Sequence, residues 1–213
     1  FGDSITEGVG VEGHFTSWQK LEVNRAAATW FPLVCSALDC EYGQLGTGGQ
    51  GIVSSTAAMP ALPQTWDHYD AATSRLSDGL LLPEPDYVFC CMGTNDFQDR
   101  DPKKPYDITA AYCQWLTSVR QACPTTTIFC VVPPFGWHGE EIRAAVIRRN
   151  EKGDAKVHLI DTAPLKNGFA PGHRPSRLAY DGCHPSLYGQ ALLATLITME
   201  VQKILSRNSI LAS

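Results

Sequence analysis

Predicted strands alternate with predicted helices along most of this chain, and that alternation constrains the fold more than any other feature. Short segments bounded by turn signals predict strands at residues 41–45, 86–92, 125–132 and 157–161. Apolar spacing and helix start and stop signals predict helices at residues 5–9, 25–38, 106–122, 139–150 and 185–207. Such alternation indicates an α/β fold, a three-layer α/β/α sandwich around a central, mostly parallel sheet. Residues 59–82, rich in Pro and Asp, predict an irregular surface excursion.

Length and charge bound the classes of function. The 213 residues, 44% hydrophobic and 18% charged, predict one globular domain over residues 1–213. A net charge of −5 without a basic run argues against a nucleic-acid partner. No apolar stretch approaches the ~18 residues that span a bilayer, so no membrane span is predicted. Neither a nucleic acid nor a membrane is therefore the expected partner, which leaves a small molecule.

The eight cysteines show no metal-binding or redox pattern. Cys90, Cys91 and Cys130 fall in predicted strands, where a free cysteine behaves as a small buried hydrophobe. No C-x-x-C pair occurs, so neither a zinc site nor a thioredoxin-type site is expected, and no metal or cofactor is predicted. Cys35 with Cys40, or Cys113 with Cys123, could pair in an oxidising compartment. We favour reduced thiols, and reduced thiols in turn favour an intracellular location.

Ser4 stands at the first turn that the chain can make, in the run Gly2-Asp3-Ser4-Ile5-Thr6. A serine at a strand-to-helix turn presents its hydroxyl for attack and places its N–H at the positive end of a helix. The alternative is that Asp3 or Ser4 serves as a helix N-cap. The strand expected before Ser4 is represented by Phe1 alone. Either that strand lies outside this sequence or the sheet lacks a central strand.

Two further blocks follow predicted strands and offer hydrogen-bond donors. The glycine block at residues 46–51 lacks a Walker lysine, so phosphate binding is not favoured. It could bring one backbone N–H close to a reacting carbonyl, or it could form a plain turn. Asn95, in the run Gly93-Thr94-Asn95-Asp96, could carry an amide donor, or it could form an Asx-turn.

An aspartate stands three residues ahead of a histidine near the carboxyl end, in the run Asp181-Gly182-Cys183-His184-Pro185. Asp181 can fold back onto Nδ1–H of His184, which leaves Nε2 to accept a proton from a serine. The alternative is a helix cap followed by a surface histidine.

These four blocks, in this order over almost the whole chain, resemble the GDSL, or SGNH, hydrolase family. The resemblance implies a flavodoxin-like α/β fold and a serine esterase activity. It makes Ser4 the nucleophile, His184 the general base and then acid, and Asp181 its orienting carboxylate. It places the oxyanion hole at the N–H groups of Ser4 and Gly49 and the side chain of Asn95.

The chain departs from the family pattern in two places. Gln44 stands where many members have Asn, and the glycine block is richer in glycine than usual. The choice of Gly49 over Gly48 as a donor therefore stays open. Asp3, in this family, commonly serves structure rather than chemistry.

The resemblance extends to acetyl-removing carbohydrate esterases. This resemblance rests on the Gly-Gly-x-Gly-Ile run at residues 48–52 and on the Cys-His-Pro form of the last block. It also rests on scattered aromatic residues, which are Trp18, Trp66, Phe97, Phe135 and Trp137. We expect short acyl substrates, O-acetyl groups on carbohydrate, with residues 135–139 as a loop that faces the substrate. The alternatives are a lysophospholipase or thioesterase, a non-catalytic glycan-binding module and, last, a scaffold domain.

Overall fold

The computed structural model describes residues 1–13, 21–55, 60–96, 107–162, 165, 169 and 175–211. Its helices are α1 Ser4–Glu7, α2 Trp30–Ala37, α3 Ile108–Ala122, α4 Gly139–Glu151 and α5 Leu187–Leu211. Its strands are β1 Leu76–Ser77, β2 Leu80–Leu81, β3 Tyr87–Cys90, β4 Thr127–Val131 and β5 Val157–Ile160. Single-turn 3₁₀ helices lie at Leu21–Val23, Ala26–Ala28 and Leu62–Gln64. Each of the five predicted helices is found, with its ends shifted by a few residues.

The described chain forms two compact units. The first unit consists of Phe1, Gly49–Pro133 and Trp137–Leu159, and the second consists of Gly2–Gly48, Pro134–Gly136 and Ile160–Ser213. The prediction of one domain over residues 1–213 stays a prediction.

The first unit is built around a three-stranded sheet of order β3-β4-β5. β3 and β4 run parallel, with Val88 opposite Ile128 and Cys90 opposite Cys130. Their aromatic and β-branched residues are buried almost without interruption, as is typical of a parallel sheet covered on both faces. Phe1 lies beside β3, since its amino group donates to Phe89 O at 2.7 Å. The predicted α/β fold class with a parallel sheet is confirmed.

Helix α3 supplies most of the core of the first unit. Its buried side chains recur at helical spacing and pack with those of β3, β4 and α4; they are Ile108, Tyr112, Trp115, Leu116, Val119 and Ala122. The buried residues of α4 in the same cluster are Ile142, Ala145 and Val146. One apolar stripe per helix thus covers the sheet.

Two sequence predictions about elements need correction. Residues 41–45 form no strand: they take part in no bridge, and the isolated parallel bridge next to them joins Gly2 to Gly46. Residues 60–82 are not wholly irregular. Besides the 3₁₀ helix at Leu62–Gln64, they contain the antiparallel β1–β2 pair, and Trp66 is buried as part of the core. The proline and aspartate content of this segment had led to the prediction of irregular structure.

The second unit packs α2 against α5. Trp30 and Val34 of α2, and Leu193 and Ile197 of α5, are completely or almost completely buried. No helix of the described part meets the length and apolarity needed to cross a membrane. No disulfide joins any of the eight cysteines, each of which lies in the described ranges.

Candidate active site

Asp3 caps a single helical turn that begins at Ser4. Its Oδ1 accepts the N–H of Ile5 at 2.9 Å, and its backbone carbonyl accepts those of Thr6 at 3.0 Å and Glu7 at 2.8 Å. Gly8, with φ at 91°, adopts the left-handed conformation that ends the turn. The N-cap role therefore belongs to Asp3, in line with its predicted structural role. No acceptor for the N–H of Ser4 is found among the described residues.

The side chains of Ser4, His184 and Asp181 form one hydrogen-bonded series. The Oγ of Ser4 lies 3.0 Å from Nε2 of His184, and Nδ1 of His184 lies 2.6 Å from Oδ2 of Asp181. The residues join the start of α1 to the segment before α5, across 180 positions of sequence. His184 is 3% exposed, which excludes the alternative of a surface histidine.

Asp181 uses its two oxygens for two different tasks. Oδ1 accepts the backbone N–H groups of Cys183 at 2.9 Å and His184 at 2.7 Å, which fixes the turn. Oδ2 faces the imidazole. Burial disfavours the charged carboxylate, but the bonds from the ring and the two backbone N–H groups outweigh it and lower the pKa of Asp181 to about 2. Asp181 is therefore an anion at neutral pH, and it selects the tautomer with hydrogen on Nδ1.

Cys183 lies between Asp181 and His184 in the turn, and its thiol takes no part in their hydrogen bonds. Burial, followed by the negative charges of Asp181 and Asp3, raises the pKa of its thiol to about 12. The thiol is accordingly protonated near neutral pH, and a protonated thiol is a poor nucleophile and metal ligand.

The glycine block begins against the helical turn that starts at Ser4. Gly46 is bridged to Gly2, whose N–H donates to Leu45 O at 2.9 Å. The N–H of Gly48 donates to Oε2 of Glu7 at 2.6 Å. Gln44, the residue that departs from the family pattern, donates from its amide to the carbonyl of Thr6. This part of the block belongs to the second unit, as do Ser4, His184 and Asp181.

Asn95 and the rest of the glycine block lie together in the first unit. Nδ2 of Asn95 donates to Gln50 O at 3.0 Å, so the side chain reaches the glycine block instead of closing an Asx-turn. Gly49, the residue before Gln50, has φ at +80°. The oxyanion-hole roles of Gly49 and Asn95 stay predictions.

Asp96 holds the loop that follows the glycine block. Its carboxylate accepts the backbone N–H groups of Ile52 at 2.9 Å, Val53 at 2.7 Å and Ser54 at 3.0 Å. The hydroxyl of Ser54 donates to Asn95 O at 3.1 Å, which closes the connection. The spacing of Asn95 from the glycine block is therefore set by the aspartate next to it, a role that the sequence did not reveal.

Gln190 is a second residue whose role the sequence did not reveal. This completely buried side chain of α5 accepts the N–H of Trp30 at 2.8 Å and donates to the carbonyl of Ile5 at 3.0 Å. It thus connects α5 to the starts of both α1 and α2. The available signal was a lone glutamine on an otherwise apolar stretch of the last helix.

The aromatic residues singled out in the sequence have different surroundings. Trp66 is buried and meets the ring of Phe1 edge-on at 5.9 Å, so it is a packing residue. Phe135 is 8% exposed and packs against Phe169, and Trp137 is half-buried. Trp18 and Phe97 lie outside the described residues. In the described ranges, no cluster of three His, Cys, Asp or Glu side chains suits a metal ion.

Comparison with known proteins adds a family and a fold. A model of the GDSL-like lipase/acylhydrolase family matches residues 1–192. The cellulase/esterase CelE of Acetivibrio thermocellus is 26% identical over 214 residues, which is 94% of this chain and 25% of that protein.

Solved structures with the same fold include carbohydrate esterases. A family two carbohydrate esterase from Clostridium thermocellum, in complex with cellohexaose, has a TM-score of 0.76 and 22% identity. The acetyl xylan esterase Est2A from Butyrivibrio proteoclasticus has a TM-score of 0.75 and 19% identity. In both cases 96% of this chain and 63% of the solved chain are covered. The chain therefore spans a quarter of the curated relative and less than two thirds of these solved chains.

Proposed function

The chain belongs to the GDSL-like lipase/acylhydrolase family, and on that premise we propose that it is a serine esterase. The observation that carries the proposal is the series Ser4 Oγ, His184 Nε2 and Nδ1, Asp181 Oδ2, joined at 3.0 Å and 2.6 Å. An alcohol, an imidazole and a partly buried carboxylate in this order form the arrangement that activates serine for acyl transfer. Ser4 is the nucleophile, His184 the base and then acid, and Asp181 the orienting anion.

The reaction proceeds in two steps. Ser4 Oγ bonds to the ester carbonyl carbon as its proton passes to Nε2 of His184. The bond to the alkoxy oxygen then breaks, and His184 returns that proton to the leaving alcohol. In the second step water attacks the acyl-enzyme, with His184 again taking the proton. The acid departs and the Ser4 hydroxyl is restored.

Three donors are proposed for the negative oxygen of the tetrahedral intermediate. The N–H of Ser4 has no acceptor among the described residues and lies at the start of α1. The amide nitrogen of Asn95 carries two hydrogens, of which Gln50 takes one. The third donor is the N–H of Gly49. Such donors act on charge that develops in the transition state.

We propose short acyl groups, O-acetyl esters on carbohydrate, as the substrate class. Likeness in fold to a family two carbohydrate esterase and to an acetyl xylan esterase supports this choice. The Cys-His-Pro form of the last block and the glycine-rich run at residues 48–52 support it as well.

Turnover of p-nitrophenyl esters from two to twelve carbons tests activity and acyl length together. We expect acetyl to be preferred, and acetylated oligosaccharides to be deacetylated. Ser4→Ala should abolish turnover, whereas Ser36→Ala, an exposed serine on α2, should match the parent protein. A serine-directed phosphonate should inactivate the parent and leave Ser4 modified.

Other outcomes would assign the chain differently. A preference for eight carbons or more would favour a lysophospholipase or thioesterase. Glycan binding without any ester turnover would favour a non-catalytic binding module. Undiminished turnover in Ser4→Ala would refute the assignment of the nucleophile.

A further inference from the structure

Glu7 lies one helical turn after Ser4, and the mechanism above gives it no task. It is half-buried, and its Oε2 accepts the N–H of Gly48 at 2.6 Å. A carboxylate that accepts a backbone N–H at this distance makes a charge-assisted hydrogen bond, which is stronger than a bond between neutral groups. The contact joins residues 41 positions apart, so it does not arise from local helix geometry.

The glycine loop that Glu7 holds is packed directly on the nucleophile turn. A Cβ at Gly46 would lie 2.6 Å from the backbone nitrogen of Glu7, closer than real Cβ atoms approach. A Cβ at Gly48 would lie 2.7 Å from Oε2 of Glu7 and 3.6 Å from Cβ of Ser4. The backbone of Gly48 therefore passes beside the proposed nucleophile, with the Glu7 carboxylate between the loop and the helix.

We propose that Glu7 is a positioning residue for the oxyanion hole. The sequence left Gly48 and Gly49 open as the backbone donor of the oxyanion hole. Because the carboxylate of Glu7 accepts the N–H of Gly48, that N–H is already used, and the donor is Gly49. The same bond fixes the Thr47–Gly48 peptide plane. The next plane, which carries the Gly49 N–H, is joined to it through φ and ψ of Gly48, so a shift of the first plane redirects that N–H unless both torsions compensate. The inference rests on the proposed function.

Three variants separate the hydrogen bond from the charge. Glu7→Gln keeps an oxygen acceptor of the same reach and loses the charge, so we expect kcat within about threefold of the parent. Glu7→Ala removes the acceptor, and Glu7→Asp shortens the side chain by one methylene, which moves the acceptor away from the N–H of Gly48. Both should lower kcat by about tenfold to a hundredfold with little change in KM, because a misdirected donor weakens transition-state binding. Glu140→Ala, an 89% exposed glutamate side chain on α4, is the matched control.

The comparison of variants with controls distinguishes two kinds of failure. If the parent does not hydrolyse esters, or Ser4→Ala remains active, the proposed function itself fails. If those controls behave as expected and Glu7→Ala retains the parent kcat, only the role of Glu7 is refuted. An equal loss in Glu7→Gln and Glu7→Ala also refutes it, since the charge and not the acceptor would then matter. Turnover is expressed per serine titrated with phosphonate, so a loss of folded protein does not lower it.

A measurement without catalysis completes the test. In ¹H–¹⁵N spectra, the Gly48 amide proton of the parent should lie downfield and exchange slowly with solvent. The resonance should keep this position in Glu7→Gln and move upfield in Glu7→Asp. Glu7→Asp replaces Glu7→Ala in the test if Glu7→Ala does not fold. An unchanged Gly48 resonance in Glu7→Asp would overturn the proposal.

Discussion

Asp181 holds the ring of His184 through Oδ2 at 2.6 Å and the backbone N–H of the same residue through Oδ1 at 2.7 Å. One carboxylate thus sets both the position of the histidine and its tautomer. The two tasks fall on different oxygens, so a single substitution can separate them.

Asp181→Asn should preserve the turn and lose the activity. An asparagine Oδ1 still accepts the N–H groups of Cys183 and His184, but its NH₂ faces Nδ1 and favours the wrong tautomer. We expect kcat to fall by about 10² to 10⁴ while KM changes little. Steady-state kinetics on p-nitrophenyl acetate measures this, and circular dichroism checks the fold. A loss below tenfold would show that His184 does not depend on Asp181 for orientation.

Acid stability should also depend on Asp181. The pKa of this carboxyl is about 2 in the folded chain, below its ordinary value of 3.8, so the anion stabilises the fold above about pH 4. That contribution, about 2 kcal/mol, is lost as the pH falls towards 2. Urea titrations at pH 5 and pH 2.5 should show a steeper loss of unfolding free energy for the parent than for Asp181→Asn. Equal pH dependence would contradict the lowered pKa.

Asn95→Ala should affect both catalysis and stability. We expect kcat to fall by about 10²-fold or more through loss of an oxyanion donor. The unfolding free energy should fall by about 1–3 kcal/mol because the buried carbonyl of Gln50 loses its donor. Ser54→Ala, which removes a different bond to Asn95, is the control and should keep kcat within about threefold. An unchanged kcat with a raised KM would indicate that Asn95 binds substrate instead.

Gln190→Leu should destabilise the fold without removing any proposed catalytic group. It removes the acceptor that Gln190 offers the N–H of Trp30 and the donor that it offers the carbonyl of Ile5, at a cost of about 2–5 kcal/mol in unfolding free energy. Gln190→Glu keeps an acceptor for Trp30 alone, so its unfolding free energy should lie between those of the parent and of Gln190→Leu. Urea denaturation gives the values, with the exposed Gln202→Leu on the same helix as reference. Parent-like stability in Gln190→Leu would refute the bridging role.

The thiol of Cys183 should resist alkylation in the folded protein. With its pKa raised to about 12, the thiolate that reacts with iodoacetamide is nearly absent at pH 8. Peptide mass spectrometry should find Cys183 unlabelled in the native protein and labelled after denaturation in guanidinium. Rapid native labelling would contradict the raised pKa.

Local pattern predicted the regular elements better than the irregular ones. The five helices and the strands β3, β4 and β5 follow from apolar periodicity, which depends on neighbours a few residues apart. The predicted strand at residues 41–45 is wrong, because a strand requires a partner along its length and the single bridge found here joins Gly2 to Gly46, just after these residues. The β1–β2 pair was missed since each strand is two residues long.

The sequence by itself determined which chemical groups the chain carries and in what order: a serine at a turn, glycines and an asparagine after strands, and Asp-x-x-His before the last helix. Residue identity and short spacing are enough for that. The tertiary structure decided what each group faces. Ser4 meets His184, Glu7 engages Gly48 and Gln190 joins two helix starts across 180, 41 and up to 185 positions. Such pairings are set by the packing of distant segments, and no local pattern encodes them.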